Sequence, residues 1–279
     1  MTGLATSRSR GEIVQHRGIR QTIERATFRA FRIPLMLLAS RRLKKRLQSI
    51  SSIDGALDLA YDFSFWGISI RPWQERSEIL SLLRMIEDIR PKTILEIGTS
   101  NGGSLFLFTR VASPDALIVS IDLPRGQFGG GYPRSRGYLY RSFAAPGQRI
   151  RLLRADSHQV RTLESAEAAL EGRNVDVLFI DGDHAYQGVK LDFEMYGPLV
   201  RDRGLIAFHD IVPTSARGPR PLNNDLLQGG EVPEFWAEIR HTHETQEFVE
   251  DWDSGRFGIG AIEVSRRRLG VTPVAREGA

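Results

Sequence analysis

The spacing of apolar positions changes character near residue 92. Upstream, 19–50 mixes apolar residues with Arg and Lys at helical intervals, and Pro34 inside that run predicts a break. Residues 58–73 are aromatic-rich, with Tyr61, Phe63, Phe65, Trp66 and Trp73, and read as a packed connector. The stretch 74–89 places Ile79, Leu82, Leu83, Met85, Ile86 and Ile89 on one helical stripe, which Pro91 ends. Beyond it, short β-rich apolar runs recur at 93–97, 117–121, 150–153, 175–180 and 205–208. Helical stretches at 104–111, 162–170 and 186–199 lie between several of them. Such alternation predicts parallel strands with helices on both faces. A helix near 233–239 and two final runs, 247–250 and 257–264, follow. Asp253-Ser254-Gly255 between those runs is a turn signal, so they are expected to pair as an antiparallel hairpin. The expected fold is α/β, a mostly parallel seven-stranded sheet closed by that hairpin.

Two connections, 123–149 and 213–231, are long for this architecture and leave carboxyl ends of strands, where open α/β sheets bind ligands. Composition then limits the function classes. There is no Cys, hence no disulfide, thiolate nucleophile or Cys-based zinc site. No apolar run approaches the ~20 residues of a bilayer span. The longest, Phe31–Ala39, is interrupted by Arg32 and Pro34, and no secretory pattern opens the chain, so a cytoplasmic location is expected. Residues 1–50 carry 12 Lys or Arg against Glu12 and Glu24, a balance of +10 within a whole-chain charge of +4. The body is therefore mildly acidic, which argues against nucleic acid as its partner. The basic run Arg41–Arg46 after apolar 33–38 suits an anionic membrane surface, giving a peripheral contact at the inner membrane through 19–50. The other reading is a solvated basic helix packed on the body or on a second copy in a homo-oligomer. The expected organisation is a basic helical segment and connector over 1–74, the α/β domain over 75–265, and a basic tail over 266–279.

Candidate chemistry gathers at strand ends. Leu95-Glu96-Ile97-Gly98-Thr99-Ser100-Asn101-Gly102-Gly103-Ser104 leaves the first strand for a helix, and small residues there admit a ligand to the backbone. Its spacing is not the G-x-G-x-x-G of dinucleotide-binding folds. Asp122 closes the second strand, where a carboxylate can accept from both hydroxyls of a ribose. Asp156, before Ser157, either reads an adenine amino group or caps the following helix. Asp181 and Asp210 end the fourth and fifth strands, with His184 and His209 beside them, and suit a divalent cation through oxygen ligands. His184 suits a general base, at an ordinary histidine pKa of ~6.5. Asp183 is expected to cap the helix near Tyr186. Arg134, Arg136 and Arg141 in the first long loop either mark an anionic acceptor or are solvated.

Glu96-x-Gly98, Asp122, Asp156, Asp181 and Asp210 on successive strand ends resemble the class I S-adenosylmethionine-dependent methyltransferases. Phe-Ile-Asp181-Gly-Asp-His184 with Phe-His209-Asp210 resembles, more narrowly, the cephalosporin-hydroxylase-like and macrolide-sugar O-methyltransferase group. The likeness covers about residues 75–265. It implies a Rossmann-like methyltransferase domain and O-methylation of a small-molecule hydroxyl: a sugar, glycolipid or secondary metabolite. The implied cofactor residues are Glu96, Gly98, Thr99, Ser100, Gly102, Asp122, Asp156 and Ser157. His184 and Asp181 are the implied catalytic pair, and Asp181, His209 and Asp210 the implied ligands of Mg2+ or another divalent metal. His209 stands where metal-dependent members commonly carry an acid, and imidazole favours softer ions. A nicotinamide-dependent enzyme and a catalytically silent scaffold are the competing readings.

Overall fold

The computed structural model describes residues 31–125, 131–213 and 230–265. Its frame is a seven-stranded sheet of order β5-β4-β3-β6-β7-β9-β8. The strands are β3 (Thr93–Ile97), β4 (Leu117–Ile121), β5 (Arg149–Leu153), β6 (Val175–Ile180), β7 (Val200–His209), β8 (Glu244–Phe248) and β9 (Ile259–Glu263). Strands β3 to β7 pair in parallel, while β9 runs antiparallel to both β7 and β8. Strands β3 and β4 are buried at every position, which their Ile, Leu and Val content requires of strands covered on both faces. Alternate side chains feed two cores. Ile94, Ile118, Val177 and Phe179 meet Leu82, Phe106 and Phe108 on one side. Leu95, Val119, Leu178 and Phe208 meet Ala166, Val189 and Trp236 on the other.

The first face carries α2 (Ile53–Asp62), α3 (Arg76–Ile89) and α4 (Gly103–Val111); the second carries α6 (Val160–Leu170), α7 (Tyr186–Tyr196) and α8 (Val232–Ile239). Three features fall inside stretches for which no regular element was expected. Helix α2 overlaps the aromatic connector, its Ser52 N-cap accepting from Gly55 N at 3.1 Å. The connector then forms a small hairpin, β1 (Ser64–Phe65) with β2 (Ile68–Ser69). A short helix, α5 (Arg136–Arg141), occupies part of the first long connection.

Pro34 does not break its helix. Residues 31–47 form one continuous helix, α1, with Pro34 near the start of its described part. This helix buries Met36, Ala39 and Leu43 and leaves Phe31, Ile33, Leu37 and Leu38 exposed near Arg41, Arg42 and Lys44–Arg46. Among the described residues, no helix is long and apolar enough to cross a membrane. The expectations for 1–30, most of 213–231 and the tail 266–279 lie outside the described residues.

Register decides where the site falls. Ile97 pairs with Ile121 and with Ile180, and Ile180 pairs with Phe208. Four strands therefore finish level, and Gly98, Asp122, Asp181 and His209 stand in one row along the crevice.

Candidate active site

Backbone bonds knit this row together: Gly98 N donates to Ile121 O at 2.8 Å, Asp181 N to Ile97 O at 2.9 Å, and Asp122 N to Leu153 O at 2.9 Å. Gly98 has φ +100°, and a Cβ built there would lie 1.9 Å from Asp181 O. Only glycine fits. Ser100 and Asp210 also sit in the left-handed region, at φ 42° and 64°, strained backbone that often marks functional turns.

Glu96 lies beneath the loop rather than in the crevice. It is fully buried and accepts from Ser104 Oγ and Ser120 Oγ, each at 2.5 Å. Burial raises its carboxyl to about 8, against the opposing pull of the two serine bonds. The sign of the linkage follows. Between about 4.5 and about 8 the folded chain holds a proton that the unfolded chain releases, so stability should fall as pH rises through that window. Glu96→Gln should remove this contribution, on the order of a few kcal/mol. Urea denaturation of both proteins at several pH values checks it; parallel pH profiles would refute it.

Asp122 is 5% exposed, with Oδ2 accepting from Ser100 N at 3.1 Å and Oδ1 from Gly131 N at 3.0 Å. Burial lifts it to about 6 in spite of those bonds. The Tyr132 N–H bonds this carboxylate too, which leaves one lone-pair site for a ribose hydroxyl. Asp156 does not cap α6, whose N-cap is Gln159. Its carboxylate instead accepts from His158 N at 3.0 Å and Gln159 Nε2 at 3.1 Å, an Asx turn beside Ser157. Sequence gave no sign of its neighbour Asp192, a fully buried carboxylate 3.4 Å from His158 Nε2.

Beyond β6 and β7 the acids and histidines meet. His209 Nδ1 lies 3.0 Å from Asp181 Oδ1 and 3.2 Å from Asp210 Oδ2. His184 Nε2 is 3.7 Å from Asp181 Oδ1, and its Nδ1 is 3.5 Å from Asp210 Oδ2. Asp181, His184 and Asp210 each bring a donor atom within 4.8 Å of the others, a spacing that one metal ion can bridge. Burial alone would raise Asp181; the charge of His209 and the bonds of both histidines outweigh it and hold the carboxyl at about 2. Burial works against charge on His184, yet the hydrogen bond of Asp181 and the field of Asp210 raise its pKa above the ordinary histidine value. The expectation of an unperturbed His184 is thereby corrected: two acids hold its proton. His209 is raised further, against its own burial, by Asp210 and Asp181. Its ring stacks on Phe257 with centroids 5.9 Å apart.

The cap of α7 also differs from expectation. Ala185 is the N-cap, and Asp183 accepts from Ala185 N at 2.9 Å, just ahead of the helix. The Tyr186 N–H goes instead to Glu231 Oε2 at 2.9 Å. Arg136 is half-buried, and its Nη1 donates to Ser69 O at 3.0 Å and Asn101 O at 3.3 Å.

Gln74 and Trp73, which sequence did not single out as site residues, complete the crevice. Gln74 Nε2 donates to Asp181 Oδ2 at 2.7 Å, and Trp73 Nε1 to Ser100 Oγ at 3.1 Å. With Arg71, Gly98, Ser100 and Asp181 they line one cleft.

A level row of glycine loop and acids at the carboxyl ends of this strand order is the layout of the class I methyltransferase fold. Residues 95–211 match the family model described as a methyltransferase domain. An O-methyltransferase from Bacillus cereus, crystallised in complex with SAH, superposes with a TM-score of 0.50 at 16% identity, covering 82% of this chain and 100% of that one. An uncharacterized protein of Sinorhizobium fredii is 28% identical over 195 residues, 69% of this chain and 19% of its own length. One from Acanthamoeba polyphaga mimivirus is 33% identical over 118 residues, 42% of this chain and 51% of its own. The chain thus spans about a fifth and about half of these two curated relatives.

Proposed function

We propose that this chain moves the methyl group of S-adenosylmethionine to a hydroxyl oxygen of a small molecule. The observation that carries the reading is the cluster of Asp181, His184, His209 and Asp210 set level with the Gly98 loop and Asp122. The loop backbone and Asp122 hold the donor, the latter through a ribose hydroxyl. An acceptor over Asp181 attacks the methyl carbon, the carbon–sulfur bond breaks, and the hydroxyl proton passes to His184 Nε2 or Nδ1. The products are the methyl ether and S-adenosylhomocysteine.

A divalent cation fits between the carboxylates of Asp181 and Asp210, which converge with the His184 imidazole within 4.8 Å. A nitrogen that holds a cation cannot take a proton at the same atom. The assignment therefore gives the cation to Asp181 and Asp210, with His209 Nδ1 beside both, and the proton to His184. When bound, magnesium or another divalent ion lowers the pKa of the acceptor hydroxyl. A base must start neutral, and His184 shares its proton with the same two acids; a cation held by Asp181 and Asp210 would offset their charge and favour the neutral imidazole. Sugars, glycolipids and other secondary metabolites are the acceptor classes that suit this chemistry.

Titration calorimetry with S-adenosylmethionine tests the reading. Saturable binding at micromolar concentrations is expected, whereas no heat at millimolar concentration, with binding of a nicotinamide dinucleotide instead, would reverse it.

A further inference from the structure

Gln74 is 5% exposed, and its two amide atoms stand in opposite circumstances. Nε2 donates to Asp181 Oδ2, while Oε1 is buried with no hydrogen-bond partner among the described residues. Turning the amide over does not remove the asymmetry. An ionised carboxylate only accepts, so the nitrogen must face Asp181 and the oxygen must face away from it. A buried carbonyl oxygen left unpaired is costly, and a donor brought in by a ligand would satisfy it. Gln74 lines the cleft shared with the Gly98 loop and Asp181. Arg71, exposed and resting on the Tyr61 ring at 5.2 Å, lines the same cleft. The 71–74 segment thus brings to the cleft both a cation and an acceptor backed by a carboxylate. That pairing suits the two charged ends of an α-amino acid.

Building on the methyl-donor reading, we propose that Gln74 recognises the α-ammonium of the donor's methionyl end through Oε1, while Nε2 keeps Asp181 in place. The residue becomes a bridge: one amide reads the cofactor and fixes the rotamer of the acid that faces the acceptor. Asp181 Oδ1 then stays turned toward His184 and His209.

The test compares S-adenosylhomocysteine with 5′-methylthioadenosine, which has the same nucleoside but no amino-acid end. Calorimetry on the full chain should show the wild type preferring S-adenosylhomocysteine. Gln74→Met, similar in length but unable to accept an N–H, should weaken S-adenosylhomocysteine by about tenfold or more and leave methylthioadenosine unchanged. Unchanged S-adenosylhomocysteine affinity, or equal weakening of both ligands, would overturn the assignment. Should the variant fail to fold, the wild type alone decides. The deaminated analogue of S-adenosylhomocysteine should bind about tenfold more weakly than the parent, and equal binding would refute the proposal. Wild-type protein that binds none of these nucleosides overturns the methyl-donor reading itself, and this one with it.

Discussion

Replacing His184 with alanine should lower kcat by about 10²–10⁴-fold, the usual worth of a positioned general base. Binding of S-adenosylmethionine should change little, because the Gly98 loop and Asp122 lie on other strands, with Asp122 held by Ser100 N and Gly131 N and Gly98 N by Ile121 O. The ring sits between Asp181 and Asp210 at 3.7 and 3.5 Å, so its removal takes away the proton's destination without opening the sheet. Labelled methyl transfer to an acceptor found with the wild type measures kcat, and calorimetry measures the donor. Near-normal turnover would reject His184 as the base and make His209 the next residue to replace.

Gly98→Ala should do more damage than any other single methyl group in the crevice. At φ +100° the new side chain is strained, and its Cβ would stand 1.9 Å from the carbonyl oxygen of Asp181. Neither backbone can yield without disturbing the Asp181 N to Ile97 O bond. The two effects together should cost about 3 kcal/mol or more of stability and abolish donor binding. Gly67→Ala is the internal control. It has φ +72° with open space around the added carbon, so only the conformational penalty of about 1 kcal/mol applies. Urea denaturation of the pair should separate them clearly; equal losses would show that the close approach at Gly98 carries no cost.

Strands β3, β4 and β6 were legible because strands covered on both faces must be nearly all Ile, Leu, Val or Phe, and the turn residues mark where each one stops. The row of Gly98, Asp122, Asp181 and His209 was legible for the same reason, as the first polar or small positions after each run, with Asp210 next to it. Helix α2 escaped because its aromatic neighbours hide a helical period, and only its Ser52 cap announces it. Gln74 and Asp192 could not be found by spacing at all. Gln74 meets Asp181 across 107 positions of chain, and Asp192 meets His158 from the far side of β6. The protonation of His184 was misjudged because it depends on two acids that approach only after the sheet forms.

Glu78 is buried and accepts from Glu250 N at 3.1 Å and Gly258 N at 2.9 Å, contacts that reach across 172 and 180 positions. The segment it grips carries Phe257, against which His209 stacks. Contacts of such separation form slowly, since the loop they close must first lose its freedom. The crevice is therefore among the last places to harden during folding. A nascent chain released before the β8–β9 hairpin would own the glycine loop and every acid yet lack the wall behind His209.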